Sequence, residues 1–570
     1  MLRFKAGFAV LILAAIASIV PQAHAATNVK VMIAGSSAMW QTLALGAYNS
    51  GKCVAGGTQP CKHYTAKNFN LTDTRPTAKG GTNATDTGNV WIVWDSSATT
   101  NVWAYIRVDS VVGTRCYFAQ PRCNVNISSF PAAGNLIISA LWGDKSSDST
   151  PPLAVQAIFT APPPNIVNSV TVAATDIRPE DGLFAQCRAN SVLGGGHGGL
   201  DGLGYGVNGS GVCPKVGSSL AQLEGADVLS GLPGSSSTAH VLAFNISGTD
   251  PFTNNTIPAA TTVPVGASPI VFITERMGAL KGVTNASDTQ LKSVFSGNNC
   301  NASAFGAPSA AIQAYLREPL SGTMNTTEYT VFRYPNQDGT SQETHVGNTN
   351  PLKGTLCAAG GGKRTRGIGT GEEVTLVQNS VANFGTDGVG YAFFSYGNVS
   401  SIANSGNYRY LQLNGVDGIF ASYAGGDPGE PGNGTIPGAA NLPASCAGAF
   451  PCPESKIWKG GLSFPHLRDG SYRAWSLLRA VSNGTALTNV KILISKSQTF
   501  VVNNTPDYVP AKKAGTDPGL KLLRSHYGTG ASNAPEKGRD AGGCIQASGS
   551  TTTQKVQEAP GHACSTFVPN

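Results

Sequence analysis

Three times along this chain an apolar run stops at small polar residues and hands over to a helical pattern. Residues 29–34, VKVMIA, end at Gly35-Ser36-Ser37-Ala38, after which Met39, Leu43 and Ala47 recur at helical spacing. Residues 170–175, VTVAAT, end at Asp176, and Pro179 suits a first helical position. In AIQAYLRE a strand gives way after Arg317 to the turn Ser321-Gly322-Thr323 and a helix running to Phe332. Strands that alternate with helices build parallel sheets, because a parallel neighbour is reached only through a crossover. The expected fold class is α/β.

Other segments extend the pattern. Strands are expected at 90–95, 102–110, 240–247, 269–275, 389–397 and 490–503, and helices at 371–384 and 471–482. Three turn-rich stretches, 50–88, 190–237 and 423–456, read as inserted loops. The basic, glycine-rich GKRTRGIGTGEE (362–373) lacks the lysine-hydroxyl ending of a nucleotide-binding loop and reads as a solvated loop before a helix.

The chain's 570 residues allow about two to four domains, and 41% hydrophobic content allows a large core. Only 12% of residues are charged, about half the usual share. The net charge of +7 forms no long basic run, which argues against nucleic acid as a partner. Arg3 and Lys5 precede an apolar run at 9–20, and Ala23-His24-Ala25 fits a cleavage site. A secretory signal peptide over 1–25, cleaved near Ala25, is expected, with no membrane span in the mature chain. All twelve cysteines follow it, from Cys53 to Cys564, and an even number in an exported chain implies disulfides. Pairing between sequence neighbours would pin the inserted loops. No Gly-x-Ser-x-Gly elbow, His-Glu-x-x-His or Cys-x-x-Cys occurs, so no catalytic residue, metal or cofactor is assigned.

The three junctions share a chemistry. In open α/β sheets ligands sit beyond the carboxyl ends of the strands. A helix amino terminus presents unpaired N–H groups, serine and threonine add hydroxyls, and glycine permits close approach. Arginine adds a planar fork that matches an oxyanion. Each junction alone is also what an ordinary helix cap looks like.

In this order the motifs resemble the phosphate-binding proteins of ABC transporters, of the type II periplasmic binding-protein fold. The matching segments are IAGSSAMW, AATDIRPED, REPLSGT, DGVGYAFFSY and LQLNGVDG, with HVLAFNIS similar to the interlobe strand. The resemblance covers about residues 29–420 and implies two lobes with a hinge, plus long disulfide-pinned insertions. Lobe one would be 27–240 and 396–570, and lobe two 241–395. It also implies the ligand contacts. Ser37 would give a hydroxyl, Ala38 a backbone N–H and Arg317 the charge. Ser321, Gly322 and Thr323 would give donors from the second lobe. Asp176 would accept a proton from protonated phosphate and so oppose sulfate. Ser110 matches a further serine of the family.

The expected function is capture of an oxyanion, phosphate, by an exported periplasmic or secreted protein that delivers it to an ABC-type permease. Two rivals stay open. One is a secreted or cell-surface interaction protein that keeps the fold, and the other a phosphoester hydrolase.

Overall fold

The structure is a computed structural model. It describes residues 27–48, 61–75, 84–95, 100–131, 149–179, 244–275, 277–318, 320–332, 353–367, 369–394, 408–419, 464–468, 470–503 and 508–515, with isolated residues and short pairings elsewhere. The expected signal peptide, the loop at 423–456 and nearly all of 190–237 lie outside the described residues.

In chain order the main strands are β1 (Thr27–Gly35), β2 (Lys62–Asp73), β3 (Ala84–Trp94), β4 (Thr100–Arg107), β5 (Asn124–Asn126), β6 (Val172–Thr175), β7 (Thr261–Glu275), β8 (Gln313–Arg317), β9 (Lys353–Leu356), β10 (Lys363–Gly367), β11 (Gly388–Phe393), β12 (Tyr408–Leu413) and β13 (Trp475–Ser482). The helices used below are α1 (Trp40–Tyr48), α2 (Ser110–Phe118), α3 (Asp288–Phe295), α4 (Gly322–Thr327), α5 (Gly369–Gln378) and α6 (Gly484–Asn503).

β1 is buried from Val31 to Gly35, as a strand covered on both faces must be. β4 and β6 flank it in parallel. β13 lies antiparallel to β6, and the first part of β7 lies antiparallel to β13. The second half repeats this order. β8 is flanked in parallel by β10 and β11, the far part of β7 is antiparallel to β11, and β12 pairs with β7's other edge. Each half therefore reads second, first, third, antiparallel, fourth. This is the two-lobed α/β architecture that the sequence led us to expect.

β7, 15 residues long, belongs to both halves. It changes partners at Pro269–Ile270, where Phe394 N donates to Pro269 O (2.8 Å), Ser268 Oγ to Phe394 O (2.6 Å) and Tyr472 Oη to Ile270 O (2.6 Å). The crossing strand is thus β7 and not the segment 240–247. Among that segment's described residues, His240–Val241 pairs with Glu224–Gly225, and Phe244 stacks on Phe118 in the first half's core.

Two further elements exchange types. The stretch 471–482, expected as a helix, supplies β13, in which every residue is buried. The stretch 490–503, expected as a strand, is part of α6. In α6, Val490, Leu493, Ile494, Ser497 and Val501 are buried at helical spacing, and the helix packs on α1. Aliphatic runs serve either element, and packing decides. Likewise 50–88 is not simply an inserted loop. It contains β2 and the start of β3, an antiparallel pair that extends the sheet.

Gly46 lets α1 and α6 touch backbone to backbone. A Cβ there would lie 2.8 Å from Leu493 O and 2.9 Å from Ser497 N. Gly46→Val is expected to destabilise the protein by about 1–3 kcal/mol through overpacking. An unchanged urea midpoint would contradict this.

Disulfides join Cys116 to Cys123 and Cys300 to Cys357, both between sequence neighbours as expected. Cys61 is also disulfide-bonded. No helix among the described residues is long and apolar enough to cross a membrane.

Candidate functional site

The parallel triplets of the two halves point their carboxyl ends at each other, and the turns after five of these strands meet. After β1, Ser36 Oγ caps the following turn by accepting from Ala38 N (3.2 Å), while its carbonyl accepts from Tyr105 Oη. Ser37 Oγ reaches across to Thr370 Oγ1 on α5 of the other half, 2.9 Å away. After β4, Asp109 holds the N-cap position of α2 without capping it, and Ser110 Oγ donates to Asp176 Oδ1. After β6, Asp176 N in turn donates to Ser110 Oγ (3.4 Å), and Ser476 Oγ donates to Asp176 O.

Arg317 closes β8 at only 2% exposure. Its Nε donates to Glu318 Oε2 (2.9 Å) and its Nη2 to Glu318 Oε1 (2.7 Å), a two-pronged pair within one turn. The same Nη2 also donates to Asp109 Oδ1 of the first half (3.0 Å), and Nη1 donates to Thr370 Oγ1 (2.7 Å). Glu373 Oε2 lies 3.7 Å from Nε. The strand end is fixed from behind, where Arg317 N donates to Tyr391 Oη (3.3 Å) and Arg317 O accepts from Arg366 Nη1 (2.8 Å).

Gly322 forms the second half's wall. A Cβ on it would fall 2.5 Å from Asp176 Cγ and 2.7 Å from Ser110 Oγ, so the two halves touch there directly. Next to it, Val111 N donates to Leu320 O (3.4 Å).

Of the residues singled out in the sequence, Ser37, Ser110, Asp176, Arg317 and Gly322 are thus brought into one buried crevice. Ser321 lies in the same turn, but its Oγ caps α4 by accepting from Met324 N (3.3 Å). Thr323 is buried in the first turn of α4, where its carbonyl accepts from Thr327 Oγ1. Ala38 N is engaged by Ser36.

The segment 362–373 departs from its expected role as a solvated loop. It forms β10 and the start of α5. Arg364 and Arg366 alternate inward, and Arg364 Nη1 donates to Phe295 O at the end of α3 (2.9 Å). Thr370 and Glu373 then face Arg317. Sequence reasoning also passed over Asp109. The clue for all three is the one used elsewhere, a polar residue just past a strand's carboxyl end.

Burial dominates the electrostatics. It raises Asp176, against the Ser110 hydroxyl bond, and raises Glu373 well above the usual carboxylate range, against Arg317. Burial also raises Asp109 strongly. The neighbouring Glu318 carboxyl adds to that rise, while Arg317 opposes it. Burial pushes Glu318 up too, but there the Arg317 guanidinium wins and holds the carboxyl at about 2. The carboxylates raise Arg317 further against its own burial. Around one guanidinium, then, Glu318 carries the lasting charge, while burial works against ionisation of Asp109 and Glu373.

No protein-family model matches the chain, and no curated protein does. Among solved structures it is similar to a human phosphate binding apolipoprotein, at 18% identity and a TM-score of 0.27, covering 44% of this chain and 69% of that one. An ABC-type phosphate transport receptor from Vibrio cholerae shares 12% identity at a TM-score of 0.22, covering 43% and 71%. PstS from Borrelia burgdorferi shares 15% at 0.24, covering 42% and 69%. Scores of this size carry no weight for function.

Proposed function

We propose that this is an exported solute-binding protein that captures an oxyanion, phosphate, between its halves for ABC-type uptake, without turning it over. What carries the reading is the meeting of Arg317 from one half with Asp176, Ser110 and Ser37 from the other, all at strand carboxyl ends. A buried guanidinium supplies the charge and the forked donors an oxyanion needs. Asp176 supplies the choice among oxyanions. Beside a protonated phosphate its carboxylate accepts a hydrogen bond, whereas beside sulfate two acceptors face each other unpaired. The lobes we infer depart from the sequence expectation in two places: Phe244 and the first part of β7 join the first lobe, and β12 joins the second because it pairs with the far end of β7. Capture is by hinge closure about β7, and the anion enters when the walls at Gly322 and Asp176 part.

Isothermal titration of the mature protein tests this. Phosphate should bind and sulfate should bind far more weakly, while chromogenic phosphoesters should show no turnover. In Asp176→Asn the preference for phosphate over sulfate should narrow by about tenfold or more, because the amide offers sulfate a donor. Wild-type protein that binds neither anion would overturn the reading.

A further inference from the structure

Asp109 has no role in the capture proposed above, yet it bonds the arginine at the centre of the site. It belongs to the half opposite Arg317 and stands at a helix N-cap that its side chain does not cap. Its carboxyl turns instead to Arg317 Nη2. Four of the five guanidinium N–H groups already have acceptors: Nε and one Nη2 hydrogen on Glu318, the other Nη2 hydrogen on Asp109, and one Nη1 hydrogen on Thr370. An oxyanion that needs two adjacent donors must therefore displace something. Glu318 is the next residue along the chain and grips with two oxygens, so it stays. Asp109 makes one bond to the guanidinium, its carboxyl also being hydrogen-bonded to Glu318, and it moves away with its own half when the hinge opens.

The charges around it limit what Asp109 can be. Arg317 and Glu318 face it from β8 and the following turn. Asp176 lies on its own half, with Arg479 of β13 acting on that residue. Glu373 of α5 faces Arg317 from the other side. Four buried carboxyls cannot all stay ionised around one guanidinium.

Resting on the oxyanion reading above, we propose that Asp109 gates the site: it holds the Arg317 position an oxyanion takes, gives it up as a neutral acid, and blocks it when ionised. The site then favours protonated, singly charged oxyanions such as dihydrogen phosphate. The sign follows directly. Burial raises the Asp109 carboxyl, so it is neutral at acid pH. Once it ionises it both keeps Arg317 and repels the incoming anion, so affinity falls as pH rises through its raised value.

The test is phosphate titration of wild type and Asp109→Asn at about pH 5 and about pH 8, both above the ordinary carboxyl ionisation at about 4, so that among the carboxyls only a raised one changes state between them. Phosphate's own titration is common to both proteins and cancels in their ratio. At the lower pH the two should bind within about threefold. At the higher pH Asp109→Asn should bind about tenfold tighter or more. Asp109→Ser should behave in the same way, and thermal melting checks that each variant folds. As an independent arm, wild type titrated at the higher pH in buffers of different ionisation enthalpy should take up more protons than phosphate itself accounts for.

A wild-type to variant ratio that is independent of pH, or a variant weaker at both pH values, overturns the gate while leaving phosphate binding standing. No binding by either protein at either pH overturns the oxyanion reading and the gate together.

Discussion

Arg317→Ala should destabilise the protein by about 3–5 kcal/mol and remove oxyanion binding, the largest effect of any single substitution in the crevice. The residue is almost wholly buried and is the shared partner of Glu318, Asp109 and Thr370, with Glu373 beside it. Removing it strands the Glu318 carboxylate, which the guanidinium more than any other group keeps ionised against burial. The loss should depend on pH, with a sign that can be worked out. In wild type the folded value of Glu318 is depressed to about 2. Its contribution to stability is therefore present above the unfolded carboxyl's titration and disappears as pH falls through that low value. Without Arg317 burial dominates and the folded value rises above the unfolded one. Stability in the variant then falls as pH rises instead. The gap between the two proteins should be widest at neutral pH and shrink toward about pH 4, near the ordinary carboxyl ionisation. Urea midpoints at several pH values read this out. A gap that stays constant with pH would show that lost packing, not a stranded charge, is the cause. Arg317→Lys keeps the charge but not the fork, so it should recover part of the stability and little of the binding.

The sequence disclosed the crevice better than the elements around it, and the reason is physical. Strand ends that stop at small polar residues are local signals, so Ser37, Asp176 and the Arg317-to-Gly322 turn were visible one at a time. What a local pattern cannot carry is which turn comes to face which. Asp109 looked like part of a strand end, and Thr370 and Glu373 like part of a soluble loop. Their partner, Arg317, lies 208, 53 and 56 residues away along the chain, and only the sheet order brings them together. The exchange of types between 471–482 and 490–503 has the same origin. Both stretches are rich in aliphatic residues. One fills the slot between β6 and β7, and the other covers α1. Ala38 shows the converse limit. Two serines in a row at the first turn left open which would cap, and Ser36 takes that role while Ser37 is freed to reach Thr370.

Gly322→Ala should leave the fold intact and weaken phosphate binding by about a hundredfold. Alanine is well suited to the first turn of a helix, so α4 itself loses nothing, and by propensity gains up to about 1 kcal/mol. The difficulty lies across the crevice. The added methyl would sit 2.5 Å from Asp176 Cγ and 2.7 Å from Ser110 Oγ. Neither neighbour can easily yield, because Ser110 and Asp176 are buried and hydrogen-bonded to each other, and Ser476 holds the Asp176 carbonyl. The two halves must stay apart by about the width of a methyl group, and donors meant to close on one anion no longer converge. Overpacking of this kind costs up to about 3 kcal/mol. At 1.4 kcal/mol per decade, about 3 kcal/mol corresponds to the hundredfold loss expected. Thermal melting should find the variant as stable as wild type, which separates a blocked hinge from a damaged core. Small-angle scattering adds the mechanical readout. Wild type should become more compact when phosphate is added, and Gly322→Ala should not. If the variant binds and contracts like wild type, the anion does not sit between Gly322 and Asp176, and the crevice is not the binding site.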